Sequence, residues 1–189
     1  MDWLDTLAEL KPWLLRMALL SVLLFWAVGA YNRLMRLRNA LGAAWGQIDE
    51  LLTRRAAALE PLLVLLQEPM AAEANTLAAL QAALDKQQAA ARTVRARPSS
   101  AVALQAWVVA EGELASPLAR LSALVEQHHD LVHSEAVRPL RAALAEGIPR
   151  LVYARQVFND AADAYNSAVE EFPTRLLTPV FGFRATARV

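Results

Sequence analysis

Between Met17 and Tyr31 the chain reads MALLSVLLFWAVGAY, fifteen residues without a charge and with Ser21 as the one mild polar interruption. Extended back to Pro12, the stretch reaches 20 residues, roughly 30 Å as a helix, which matches the hydrocarbon core of a bilayer. Pro12 is placed to open the helix, and Arg16 lies close enough to its edge for the long stem to reach the headgroups. Trp13 at one end and Trp26 and Tyr31 toward the other have the distribution of an interfacial aromatic belt, with Met17 and Phe25 between them. Two other readings compete with a span. A cleaved signal peptide needs a positive leader, but Asp2, Asp5 and Glu9 stand there against Lys11 and Arg16; Ala27-Val28-Gly29 is the only support for cleavage. A buried core helix is the second. Length and lack of charge favour the transmembrane helix.

Its orientation follows from the flanking cations. Lys11 precedes the segment, whereas Arg33, Arg36 and Arg38 follow it, with Arg54 and Arg55 further on. The positive-inside rule then places a short N-terminus outside and residues 32–189 in the cytosol. The expected organisation is residues 1–31 as N-terminus and anchor, 32–172 as a helical domain, and 173–189 as a membrane-proximal tail.

The domain reads as all-α. Hydrophobic residues make up 56% of the chain, yet Ile occurs only twice and Gly six times, while Ala and Leu dominate. That composition suits helices and not strands. Leu41, Trp45, Ile48, Leu52, Leu59, Leu62 and Leu66 recur at alternating steps of four and three, broken only by Arg55. This is a heptad-like packing seam on a helix that continues directly from the anchor, with Pro61 expected to kink its end and Glu68-Pro69 to turn it. Helices follow over about 70–97 and 101–127, the latter N-capped by Ser100 and divided or kinked at Pro117. A connection at 128–134 leads to a last helix reaching Phe172. Leu151, Ala154, Phe158, Ala161, Tyr165, Ala168 and Phe172 form its seam. Two facing seams imply an antiparallel four-helix bundle of long helices, returning the chain to the bilayer. There the tail's Phe181 and Phe183 would enter the interface and Arg175 and Arg184 meet anionic headgroups, or the apolar residues would cap the bundle.

Asn159 and Asn166 each follow an aromatic seam residue and Asn32 follows Tyr31, where an amide can bond across helices and fix register; a solvent-facing amide is the alternative. Gly42 and Gly46 form GxxxG and suggest close backbone approach. His128, His129 and His133 cluster beside Asp130, and His129 and His133 have the i, i+4 spacing of a zinc pair. HExxH is absent, however, and no cysteine completes a site, so a solvated connection is the preferred reading. No cofactor is expected. The 19 basic and 19 acidic residues cancel, giving no global drive toward nucleic acid.

Two segments, YNRLMRLRNALGAAWGQIDELLTRRAAALEPLLVLL (Tyr31–Leu66) and ARQVFNDAADAYNSAVEEFPTRLLTPVFGF (Ala154–Phe183), resemble the signature ends of the LemA family. The shared features are YNRLxRLRN after the anchor, AWxQID, LxRR, AR-Q-x-F-N, a second YN seven residues on, and the FP…FGF ending. The resemblance implies a bacterial cytoplasmic-membrane protein with a cytosolic helical bundle and no established enzymatic activity; a related protein contributes to magnetosome membranes. Glu60-Pro61-Leu62-Leu63 departs from the family's usual Ile-Pro-Asn-Leu. The functional expectation is a non-enzymatic, self-associating scaffold or interaction module, with the bilayer, further copies and other proteins as partners. A lipid-binding or membrane-shaping role for the Phe-Gly-Phe tail is the alternative. A metal enzyme built on the histidines is the third.

Overall fold

The structure, a computed structural model, describes residues 2–189, with side chains from Trp13 onward. Six α-helices run in the order α1 (Asp2–Leu66), α2 (Ala74–Ala96), α3 (Ala101–Gln127), α4 (His129–His133), α5 (Val137–Glu170) and α6 (Thr178–Phe181), with no strand among the described residues. Helix α1 begins ahead of Pro12 and passes unbroken through Pro61, so neither proline opens or ends it. Helix α3 likewise continues through Pro117 without dividing, and α5 contains Pro149. A proline inside a helix costs about 3 kcal/mol; here the apolar seams on either side keep each helix in one piece. Ser100 caps α3, its side chain accepting from the Ala103 N–H.

Helix α5 packs along α1, α2 crosses to α1 and pairs with α3, and the four long helices form an antiparallel bundle. Packing on α1 starts at Ala30 and Leu34. Ahead of that point Leu14, Leu15, Met17, Leu19, Leu20, Leu23, Leu24 and Phe25 are all exposed, as is Trp13. Apolar on every side and uncovered, this part of α1 is long and apolar enough to cross a membrane. Its Ser21 hydroxyl donates to the Met17 carbonyl at 2.9 Å, leaving no unpaired hydroxyl there.

The core divides into two clusters. Near the apolar end, Leu34, Leu41, Trp45, Ile48 and Leu52 meet Leu104, Trp107, Phe158, Ala162 and Tyr165. At the far end, Leu59, Leu62 and Leu66 meet Leu80, Leu84, Leu114, Leu121 and Val125. Between them lies a charged layer. Arg55, the break in the α1 seam, donates two hydrogen bonds to Glu111 of α3 at 2.7 and 2.6 Å, with only 16% and 12% of the two side chains exposed. Arg155 of α5 approaches the same carboxylate at 4.0 Å and sits 5.0 Å over the Trp107 ring. Beside this layer Trp45 meets Trp107 edge to face at 5.1 Å and Phe158 at 6.1 Å.

The α5 seam stops earlier than its spacing suggests. Ala154, Phe158, Tyr165, Ala168 and Val169 are buried, but Phe172 is 70% exposed, because α5 ends at Glu170 and Phe172 belongs to the turn beyond it. Gly42 and Gly46 make no close approach: a Cβ on either would meet nothing within 4 Å.

Candidate membrane interface

The end of the bundle beside the apolar stretch is built by α1 and by the chain that leaves α5. After Glu171 a 3-10 turn (Thr174–Leu176) and α6 bring Phe181 and Phe183 against Tyr31, with ring centroids 5.0 and 5.8 Å apart. Arg33 ties the turn to α1 by donating to Glu171 at 2.9 Å. Phe172, Leu176, Val180 and Phe181 are exposed, as are Arg175 and, on α1, Val28 and Tyr31. These apolar side chains, with Arg175 among them, form an amphipathic rim beside the base of the apolar helix.

The predicted tail therefore separates into two parts. Exposed side chains of residues 172–181 make the rim, but Phe183 is 5% exposed and belongs to the core, so it is not a free interfacial side chain. The reversal occurs at Gly182, whose φ of +69° suits a residue without Cβ, while the Phe183 N–H donates to the Thr178 carbonyl at 3.0 Å. From there the chain runs back along α5 to Val189, with Arg184 exposed.

Asn159 and Asn166 hold this returning segment. The Asn166 side chain donates to the Thr186 carbonyl at 3.1 Å and accepts from the Thr186 N–H at 2.8 Å. Asn159 repeats the pattern on Val189, at 2.9 and 2.8 Å. The spacing explains the fit. Seven residues of helix advance about 10.5 Å and three residues of extended chain roughly 9–10 Å, so amides one heptad apart can reach backbone groups three residues apart. These asparagines thus fix register, but that of a strand on a helix and not of two helices. Asn32 is exposed and takes no part in this pairing. Tyr165 is buried between the two asparagines, and its burial pushes the phenol above its ordinary range, opposed by Arg38 and by a hydrogen bond from the Arg184 backbone.

The histidines lie at the far end. Their segment forms the short helix α4, with the His129 and His133 rings 4.4 Å apart and His128 Nδ1 2.8 Å from the Leu124 carbonyl. Among the described residues no three His, Asp or Glu side chains gather as a metal-holding group. A cleft of about 730 Å³ opens between α1, α3 and α5, lined by Leu51, Leu118, Leu121, Val125 and Ile148. Its Arg54, Arg141 and Arg150 are paired with Glu50, Glu126 and Glu146.

An exposed apolar helix running without interruption into a helical bundle defines a membrane-associated helical protein. The LemA family profile matches residues 44–188, and the chain belongs to the LemA family. The match begins at Ala44, so it rests on the bundle and the returning segment, and the YNRLMRLRN stretch lies ahead of it. The chain is also 29% identical over 80 residues to the magnetosome protein MamQ of Magnetospirillum gryphiswaldense, a match covering 42% of this chain and 29% of that protein.

Proposed function

We propose that this protein is a non-enzymatic, single-pass membrane scaffold that stands its bundle upright on the cytosolic face and presents it to other copies or to protein partners. The continuity of α1 carries this reading. The same helix that exposes Phe25 inserts Leu34, Leu41 and Trp45 into the core, so the anchor's direction sets the bundle's direction. The arginines after the apolar stretch favour the cytosolic side. The paired charges around the α1–α3–α5 cleft, with the Ser122 hydroxyl donating to the Leu118 carbonyl, offer no activated nucleophile. The relative MamQ is a magnetosome protein.

A second role is favoured by the rim: Leu176, Val180 and Phe181 rest in the lipid interface and couple the bundle to the bilayer surface. Because the chain contains no cysteine, single-cysteine labelling tests both readings. With a membrane-impermeant maleimide, Asp2→Cys should label in intact cells and Val102→Cys only after lysis. Labelling of Val102→Cys in intact cells would overturn the topology. In lipid nanodiscs Leu176→Cys should react at least about tenfold more slowly than Val102→Cys, since burial among acyl chains excludes the polar reagent. Equal rates would remove the lipid-contact role.

A further inference from the structure

The segment 183–189 is held chiefly through its main chain. Each of the two asparagine amides uses both its acceptor and one donor on a single strand residue, a pairing any non-proline residue can provide. Arg184, Ala185 and Arg188 are exposed and the Thr186 hydroxyl is buried with no partner, while Ala187 and Val189 add partly buried apolar contacts against the core. Beyond Phe183, which enters the core, the face of α5 selects extended backbone with small inward side chains. The strand reaches this face through an exposed turn and Gly182, with Thr174 the only residue of 171–182 that is buried. A change of path in that connection alone would carry the strand to a neighbouring molecule, as in domain swapping.

We propose that the α5 face marked by Asn159 and Asn166 is an extended-peptide site, filled in cis by residues 183–189 and open to the same segment of a second copy. The seated strand itself identifies the occupant, since its register already matches the two amides. Membrane association supplies the second copy at high local concentration, so exchange adds a partner without requiring a new interface. This gives self-association a defined contact, and its test is independent of which side of the membrane the bundle occupies.

The first arm uses the chain ending at Gly182, reconstituted in nanodiscs, and a fluorescent peptide of residues 183–189. The peptide should bind this chain saturably and bind the full-length chain at least about tenfold more weakly, because there the site is filled in cis. Methylating the peptide nitrogens at the Thr186 and Val189 positions should weaken binding about tenfold each, as expected for losing a hydrogen bond to a part-buried acceptor. Replacing both peptide arginines by alanine should change it by less than about threefold, the Arg188–Asp163 pair being exposed. Equal binding by the N-methylated peptide, or by the shortened chain carrying Asn159→Ala and Asn166→Ala, would overturn the site. Should the shortened chain fail to fold, a full-length chain cleaved after folding at a protease site placed behind Gly182 is used, and exchange of its strand for labelled peptide is read. In the second arm, the chain ending at Gly182 and a full-length chain with both asparagines replaced are reconstituted together. One-to-one pairs should form from the mixture and from neither alone. Peptide binding without pairs would overturn the second copy as occupant.

Discussion

Glu111→Ala is expected to lower the unfolding free energy of the bundle by about 3 kcal/mol, the low end of what breaking a buried ion pair costs. The substitution leaves the mostly buried Arg55 guanidinium without its carboxylate and removes the more distant partner of the part-exposed Arg155. Both nearby Nε–H donors already lack partners, so the layer has no spare acceptor to replace the carboxylate. The control is Glu50→Ala, which removes the exposed Arg54–Glu50 pair one turn away. Its effect should stay below about 0.5 kcal/mol, as for a solvated i, i+4 pair. Urea denaturation of the detergent-solubilised chain, followed by helix content, separates the two. Equal effects would mean that the charged layer is hydrated and energetically ordinary.

Trp45→Ala should cost about 3–5 kcal/mol, because it removes a large ring from between Trp107 and Phe158. Trp45 is 1% exposed, and its two ring partners come from α3 and α5, so the cavity would loosen the whole bundle at once. Trp45→Phe should cost much less, about 1 kcal/mol, since it keeps an aromatic ring and also deletes an indole N–H that has no acceptor. Denaturation midpoints of the two variants provide the check. A large loss for phenylalanine as well would show that the indole's shape, and not its bulk, holds the three helices.

The elements most legible in the sequence are those governed by period. The uncharged run 17–31 and the α1 seam require only a count of apolar spacing, and every seam residue from Leu41 to Leu66 is buried. The seam's interruption at Arg55 was equally visible, but its partner was not. Glu111 stands four residues after Trp107 and three before Leu114, the same kind of charge within an apolar seam. Matching the two demands knowledge of which helices face each other, and single-helix periodicity does not contain it. Phe172 continued the α5 spacing yet lies outside the core, because the helix ends before it and a helical period then has no meaning. The asparagines were legible as unusual but not as strand holders. Their partners are backbone groups of Thr186 and Val189, and a backbone amide leaves no mark in the sequence. At Pro117 the helix is not divided, and at Pro61 it continues, tertiary packing outweighing the local cost.

The account rests on α1 being one rigid helix from the apolar stretch into the core. The most direct test is the distance between spin labels at Leu20→Cys and Thr53→Cys, measured by pulsed electron–electron resonance with the full chain in lipid nanodiscs. Both positions are exposed, and no native cysteine competes for the label. Thirty-three residues of continuous helix predict a single narrow distribution near about 50 Å. A broad distribution centred well below that would place a hinge between anchor and bundle and contradict the account.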